Sequence, residues 1–333
     1  MKQIDVRVLE TPKVLGCQRN TRAILNLKED LSMFQHRTYI EKSDDFDKMC
    51  ALVTYLNSEH SCDWSLGRMF GWKYGRWSEE SQIDAVFEKQ AELFFDNEGE
   101  LRGIVITEDI GNSYYFLSMK SKELLCSMVD FLLQGGNFNK SYVISVPEND
   151  EFQKGVLEEK GFVYSGDADC TYRYDVLDIV LHNIELPSGF TMTSQKEYQD
   201  EDAVEHFRFY AFNPDSVYDD VIDRAYKYSR TDPSDVPELG ILILNEKGEP
   251  ISGCIGLWDK HNQFMEVEVV ATKKEYENRG FAKAVISECI KRGINKGVKE
   301  FSISAWEEKT RKLYSSFGKA QAIKKVFYKK DAV

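Results

Sequence analysis

Two stretches of this 333-residue chain repeat one pattern, and the repetition restricts the folds open to it. The first runs Leu93-Phe94-Phe95, then the polar turn Asp96-Asn97-Glu98-Gly99-Glu100, then the apolar run 101–107. The second runs Ile241-Leu242-Ile243-Leu244, then Asn245-Glu246-Lys247-Gly248-Glu249, then 251–257. Two apolar runs around a glycine-containing polar turn are the signature of a β-hairpin. Downstream of each comes a helical stretch (124–133, then 282–292), and a short strand follows (142–146, then 301–305). A short helix closing at a glycine ends each series, at Gly161 and at Gly318. The shared order predicts two copies of one α+β domain. With Pro187-Ser188-Gly189 as punctuation, the expected organisation is an extension over 1–35, a first domain over 36–180 and a second over 188–331. Residues 1–35 receive no role.

Composition narrows the classes of function. Apolar residues at 42% and charged residues at 30% are ordinary for a soluble globular protein. No apolar run approaches the roughly 20 residues of a membrane-spanning helix. The first residues lack the apolar core of a signal peptide, so the expectation is a cytoplasmic protein with no membrane partner. Seven cysteines without a CxxC pair and five histidines without ligand spacing predict neither disulfides nor a metal site. A net charge of −13 argues against a nucleic-acid partner, whose phosphates demand basic patches. The same acidity suits a cationic substrate such as an amine, or simple solubility. Oligomeric state is not legible.

The most specific stretch is 264–283, a strand, a tight turn and the start of a helix. Phe264, Glu266, Glu268 and Val270 alternate with Met265, Val267, Val269 and Ala271, which predicts a period-two strand with two carboxylates on one face. Glu277-Asn278-Arg279-Gly280-Phe281-Ala282 then places a glycine and a small residue where the helix begins. Main-chain N–H groups at a helix start lack partners and sit at the positive end of the helix dipole. A turn of little bulk lets a phosphate or pyrophosphate approach them. Val285, Ile286, Cys289 and Ile290 recur at helical spacing as a buried stripe, with Gly293 and Gly297 closing the helix.

These residues resemble the acetyl-coenzyme A motif of the GCN5-related N-acetyltransferases, whose turn reads Q/R-x-x-G-x-G/A. Gly280 and Ala282 match it, while Glu277 stands where Gln or Arg is usual. Leu313-Tyr314-Ser315-Ser316-Phe317-Gly318 resembles the family's L-Y-x-x-x-G segment. The resemblance covers 188–330, with a fainter echo over 36–175. It implies an α+β chain of two tandem acyl-CoA N-acyltransferase-like domains, each a mixed, mostly antiparallel sheet flanked by helices. It further implies acetyl-CoA as co-substrate, held by Val270, Ala271 and Thr272 and by Asn278, Arg279, Gly280, Phe281, Ala282 and Lys283. By the same resemblance Tyr314 protonates the departing thiolate. In the first half the matching turn is Ser118-Met119-Lys120-Ser121-Lys122-Glu123, which has no glycine, so that copy is expected not to bind the coenzyme.

Acyl transfer to an amine also needs a base, and Glu268 is the candidate, with Glu266 second. Burial would raise a carboxylate towards a useful proton affinity. A main-chain N–H, that of Val270, is expected to meet the oxyanion. The stretch 64–77, where Trp, Phe and Tyr alternate with Gly and Arg, reads either as a loop over an acceptor site or as packing between the halves. The expected activity is acetyl transfer from acetyl-CoA to a primary amine of a small molecule within a ternary complex. The alternative is an acyl-CoA-binding regulatory protein without turnover.

Overall fold

The strands and helices follow from the apolar runs. A computed structural model describes residues 34–59, 64–74, 90–109, 113–135 and 141–331. The first half contains β1 (Gln35–Thr38), α1 (Asp45–Ser58), α2 (Leu66–Tyr74), β2 (Ala91–Phe95), β3 (Leu101–Asp109), β4 (Ser113–Ser118), α3 (Lys122–Gly135), β5 (Ser141–Pro147), α4 (Glu151–Glu159) and β6 (Val163–Asp175). The second contains β7 (Thr191–Ser194), α5 (Glu201–Phe212), α6 (Asp220–Ser229), β8 (Ile241–Leu244), β9 (Pro250–Asp259), β10 (Phe264–Thr272), α7 (Phe281–Lys296), β11 (Glu300–Ala305), α8 (Glu308–Ser315) and β12 (Gln321–Asp331). The order of elements is the same in both. Both hairpins read from the sequence form, as β2–β3 and β8–β9.

Among the described residues the strands form one sheet in the order β1-β2-β3-β4-β5-β12-β6-β11-β10-β9-β8-β7. The last strand of each half therefore lies against the fifth strand of the other. β12 pairs with β5 from Lys325 opposite Pro147 to Asp331 opposite Ser141, and β6 pairs with β11 from Asp175 opposite Glu300 to Cys170 opposite Ala305. The exchange extends into the cores. Val326 and Tyr328 of β12 pack with the apolar face of α3 in the first half. Tyr174 of β6 stacks on Phe301 of β11, with centroids 4.8 Å apart, inside the core built on α7. Between the exchanged strands Lys325 and Asp169 form a buried ion pair at 3.1 Å.

Only β4–β5 and β10–β11 run parallel, and every other pair is antiparallel. β10 is nine residues long, yet only Phe264, Met265 and Glu266 pair with β11. Beyond Glu266 the two strands diverge and leave an opening in the sheet.

Three expectations are corrected. The alternation along β10 breaks at a bulge, because Val269 and Val270 together face the span between Ile255 and Gly253. Val270 consequently leaves the carboxylate face and packs with the core on α7, while Ala271 joins Phe207 of α5. Gly293 lies inside α7, and Gly297, at φ 98°, is the residue that ends it. Residues 66–74 form a helix rather than a loop, with Trp64 and Trp72 in the first half's core; 75–77 lie outside the described residues. Among the described residues no helix is long and apolar enough to cross a membrane.

Because each half lacks the strand that completes its own sheet, residues 34–186 or 187–333 produced singly are expected to stay unfolded or aggregate. Produced together they should co-purify with native circular dichroism. A folded, monomeric single half on size-exclusion chromatography would contradict the exchange.

Candidate active site

The opening between β10 and β11 starts from local backbone chemistry. At the bulge Val269 takes φ +50°, a value a β-branched residue seldom adopts, and its N–H donates to the Glu268 carboxylate at 3.0 Å. Ahead of the bulge Glu266 and Glu268 stay in register opposite Leu257 and Ile255. Both face a cavity of about 340 Å³, which Arg68 on α2, Glu108 on β3, Asp169 on β6 and Trp306 after β11 also line. The cavity is thus built from both halves.

Its electrostatics separate the two carboxylates. Glu266 is buried, and burial raises its proton affinity, but the Ser65 hydroxyl and the charges of Arg68 and Lys325 oppose that rise. Glu268 has the Val269 N–H and the charge of Arg68 to stabilise its ionised form. Burial and the neighbouring negative charge of Glu266 push it up to about 7. Tyr314 on α8 is buried within electrostatic reach of Glu268. Burial first, and then the charge of Glu268, raise its pKa, so its phenol keeps its proton. The Tyr174 hydroxyl donates to the Tyr314 carbonyl and anchors α8 to an exchanged strand.

The turn after β10 is shaped by two left-handed residues, Asn278 at φ 60° and Gly280 at φ 82°. Gly280 precedes α7, and no side chain caps the helix start, so the first-turn N–H groups carry no side-chain acceptor. The matching start of α3 differs, since the Ser121 hydroxyl accepts from Leu124 N–H at 3.2 Å. Phe281 is buried against Phe190, so only its main chain borders the turn. Ala282 and Lys283 are half-buried. Arg279 turns back over the Tyr276 ring and donates to the Glu275 carbonyl at 3.1 Å. The Thr272 hydroxyl is shared with Ser252 at 2.8 Å, and Ala271 is buried under α5. Glu277, the departure from the usual turn, forms an ion pair with Lys309 of α8 at 2.5 Å. That pair joins the turn to the helix carrying Tyr314.

Residues 199–318 match the acetyltransferase (GNAT) family. Within the C-terminal half, this segment is similar to a GNAT domain. Solved structures share the fold across nearly the whole chain. A tandem GNAT protein from the clavulanic acid biosynthesis pathway, described as without AcCoA, has a TM-score of 0.60 at 9% identity, over 90% of this chain and 99% of that one. A GCN5-related N-acetyltransferase from Sphaerobacter thermophilus has a TM-score of 0.58 at 16% identity, over 90% and 96%. A GNAT-family acetyltransferase from Colwellia psychrerythraea has a TM-score of 0.56 at 14% identity, over 89% and 100%. No curated protein matches the chain in sequence. The GNAT fold supports acyl transfer in general.

Of the residues the sequence brought forward, Glu266 and Glu268 line one cavity, Tyr314 lies within electrostatic reach of Glu268, and the turn before α7 is not part of that cavity's lining. The sequence missed Ser65, Arg68, Glu108, Asp169 and Lys309. The aromatic run 64–77 was the one available signal, for Ser65 and Arg68. Among the described carboxylates Asp202, Glu205 and Asp223 come within 4.8 Å of one another, but the Arg230 guanidinium bonds to Glu205 and to Asp202.

Gly280→Ala places a side chain in the left-handed region beside Ile184. It should lower stability by about 1 kcal/mol in urea denaturation. An unchanged midpoint would mean that the turn adopts another conformation.

Proposed function

We propose that the chain transfers an acetyl group from acetyl-CoA to a primary amine of a small molecule, by direct attack in a ternary complex. The observation that carries this reading is the carboxylate pair at the opening between β10 and β11, one strand-end away from an uncapped helix start. The first-turn N–H groups of α7, with Asn278, Arg279, Gly280, Phe281, Ala282 and Lys283 around them, receive the pyrophosphate. Val270, Ala271 and Thr272 border the opening along which the rest of the donor reaches the cavity. Four carboxylates line that cavity; Glu108 is paired with Arg68 and Asp169 with Lys325, which leaves Glu266 and Glu268 to favour a cationic acceptor.

The amine must lose a proton before it attacks, and Glu268 accepts it, directly or through water. Attack on the thioester carbonyl forms a C–N bond and places negative charge on oxygen, which the Val270 N–H at the bulge stabilises. Collapse breaks the C–S bond, and Tyr314 gives its proton to the departing thiolate. The domain division at 36–180 and 188–331 then describes two copies of one ancestral unit with exchanged last strands. The first copy does not hold the donor, because Ser121 occupies its helix start.

A second reading, an acyl-CoA-binding regulatory protein without turnover, draws on the Glu277–Lys309 pair, which sets a carboxylate at the phosphate turn. Thiol release from acetyl-CoA over a panel of small amines separates the two. Tight binding of acetyl-CoA with no release for any amine would favour the second.

The acid limb gives a signed test. Glu268 accepts a proton only when ionised, and its pKa is raised from 4.5 to about 7. Activity should therefore rise as pH increases through about 7, and a limb near 4.5 would exclude Glu268 as the base. Tyr314→Phe should lower kcat by roughly 10²-fold with the affinity for acetyl-CoA unchanged. Parental kcat would remove Tyr314 from the mechanism.

A further inference from the structure

The only described residue of the first half that hydrogen-bonds to either carboxylate is Ser65, which lies 201 positions away from Glu266 in sequence. Ser65 precedes α2, and its Oγ accepts the Arg68 N–H at 2.8 Å as a helix cap. A hydroxyl carries a single proton, and with this lone pair engaged Ser65 donates that proton to Glu266 Oε2. Both side chains are buried. The approach of α2 is tight: a Cβ at Gly67 would stand 2.7 Å from Leu257 Cβ and 3.3 Å from Glu266 Oε2. Arg68 is held by two bonds to Glu108, at 2.9 and 2.6 Å, and by the faces of Trp64 and Tyr115. α2 is therefore fixed against the second half's carboxylates.

We infer that Ser65 is a positioning residue for acyl transfer, fixing Glu266 so that Glu268 is the member of the pair that exchanges a proton. The inference rests on the proposed function. Around Glu266 stand Ser65 just ahead of α2, Arg68 from α2, Lys325 from β12, Glu108 from β3 and Glu268 on its own strand. Glu268 faces Glu266, Arg68 and Glu108, with Tyr314 approaching from α8. Asp169 from β6 is occupied by Lys325. Two acidic groups in one site titrate apart when their surroundings differ. Ser65 is the uncharged part of that difference, so substituting it leaves the charge of the site unchanged.

Ser65→Gly deletes the hydroxyl and keeps a residue that helix starts accept. The full chain, labelled with 13C at the glutamate carboxyls, is titrated by NMR, and the pH profile of kcat/KM is recorded alongside. In the parent, Glu268 should titrate near 7 as one step, separate from Glu266. In Ser65→Gly the two titrations should overlap, and the acid limb should begin at lower pH with a shallower slope. Ser65→Thr should restore both. Asp150→Ala, which removes a comparable cap from α4, should alter neither. Titrations in Ser65→Gly that match the parent would overturn the inference, as would an equal change in Asp150→Ala. Separate titrations that merge in Ser65→Gly support it even in a parent without turnover, a result that would fault the proposed function alone.

Discussion

At the centre of the sheet β6 and β12 run antiparallel, each against the fifth strand of the half it does not belong to in sequence. Backbone pairing of this kind fixes position closely, because a slip of one residue turns every side chain to the opposite face. Tyr174 and Tyr328 show the consequence, since each fills the core of the other half. The halves cannot shift against one another without breaking both cores. That rigidity lets a helix from the first half serve a carboxylate in the second.

Burial and charge then set the two carboxylates of the cavity apart. Glu266 and Glu268 are two residues apart on one strand, in the same cavity. Glu266 receives a hydroxyl proton and feels Arg68 and Lys325, while Glu268 sits at the bulge with a main-chain N–H. The pairing of β10 with β11 ends at Glu266, ahead of the bulge that β10 makes against β9. Glu268 therefore sits on the stretch of β10 that has left β11 and is still paired with β9.

The two hairpins and the buried stripe of α7 were legible because their signals are local: apolar runs around a glycine turn, and Val285, Ile286, Cys289 and Ile290 at helical spacing. The paired halves were legible from element order. β6 and β12 were not, since their sequences mix charged residues with apolar ones and their partners lie far along the chain. The bulge was hidden by a run, Val267 to Ala271, that reads as unbroken strand, and nothing near Val269 announces a positive φ. Glu266, Glu268, Tyr314 and Gly280 stood out by position. Ser65 and Arg68 did not, because their meaning comes from Glu266 and Glu108, which only the folded sheet brings to them.

The place of β12 also bears on how the chain comes off the ribosome. Among the described strands it is the last to be synthesised, and it occupies an interior position between β5 and β6. The first half cannot finish its sheet during translation, since its missing neighbour is encoded after the whole second half. Until then β5 and β6 present unpaired edges to solvent, a state open to pairing with other chains. The gene order thus makes completion of the first half's sheet a late event, tying its survival to the second half.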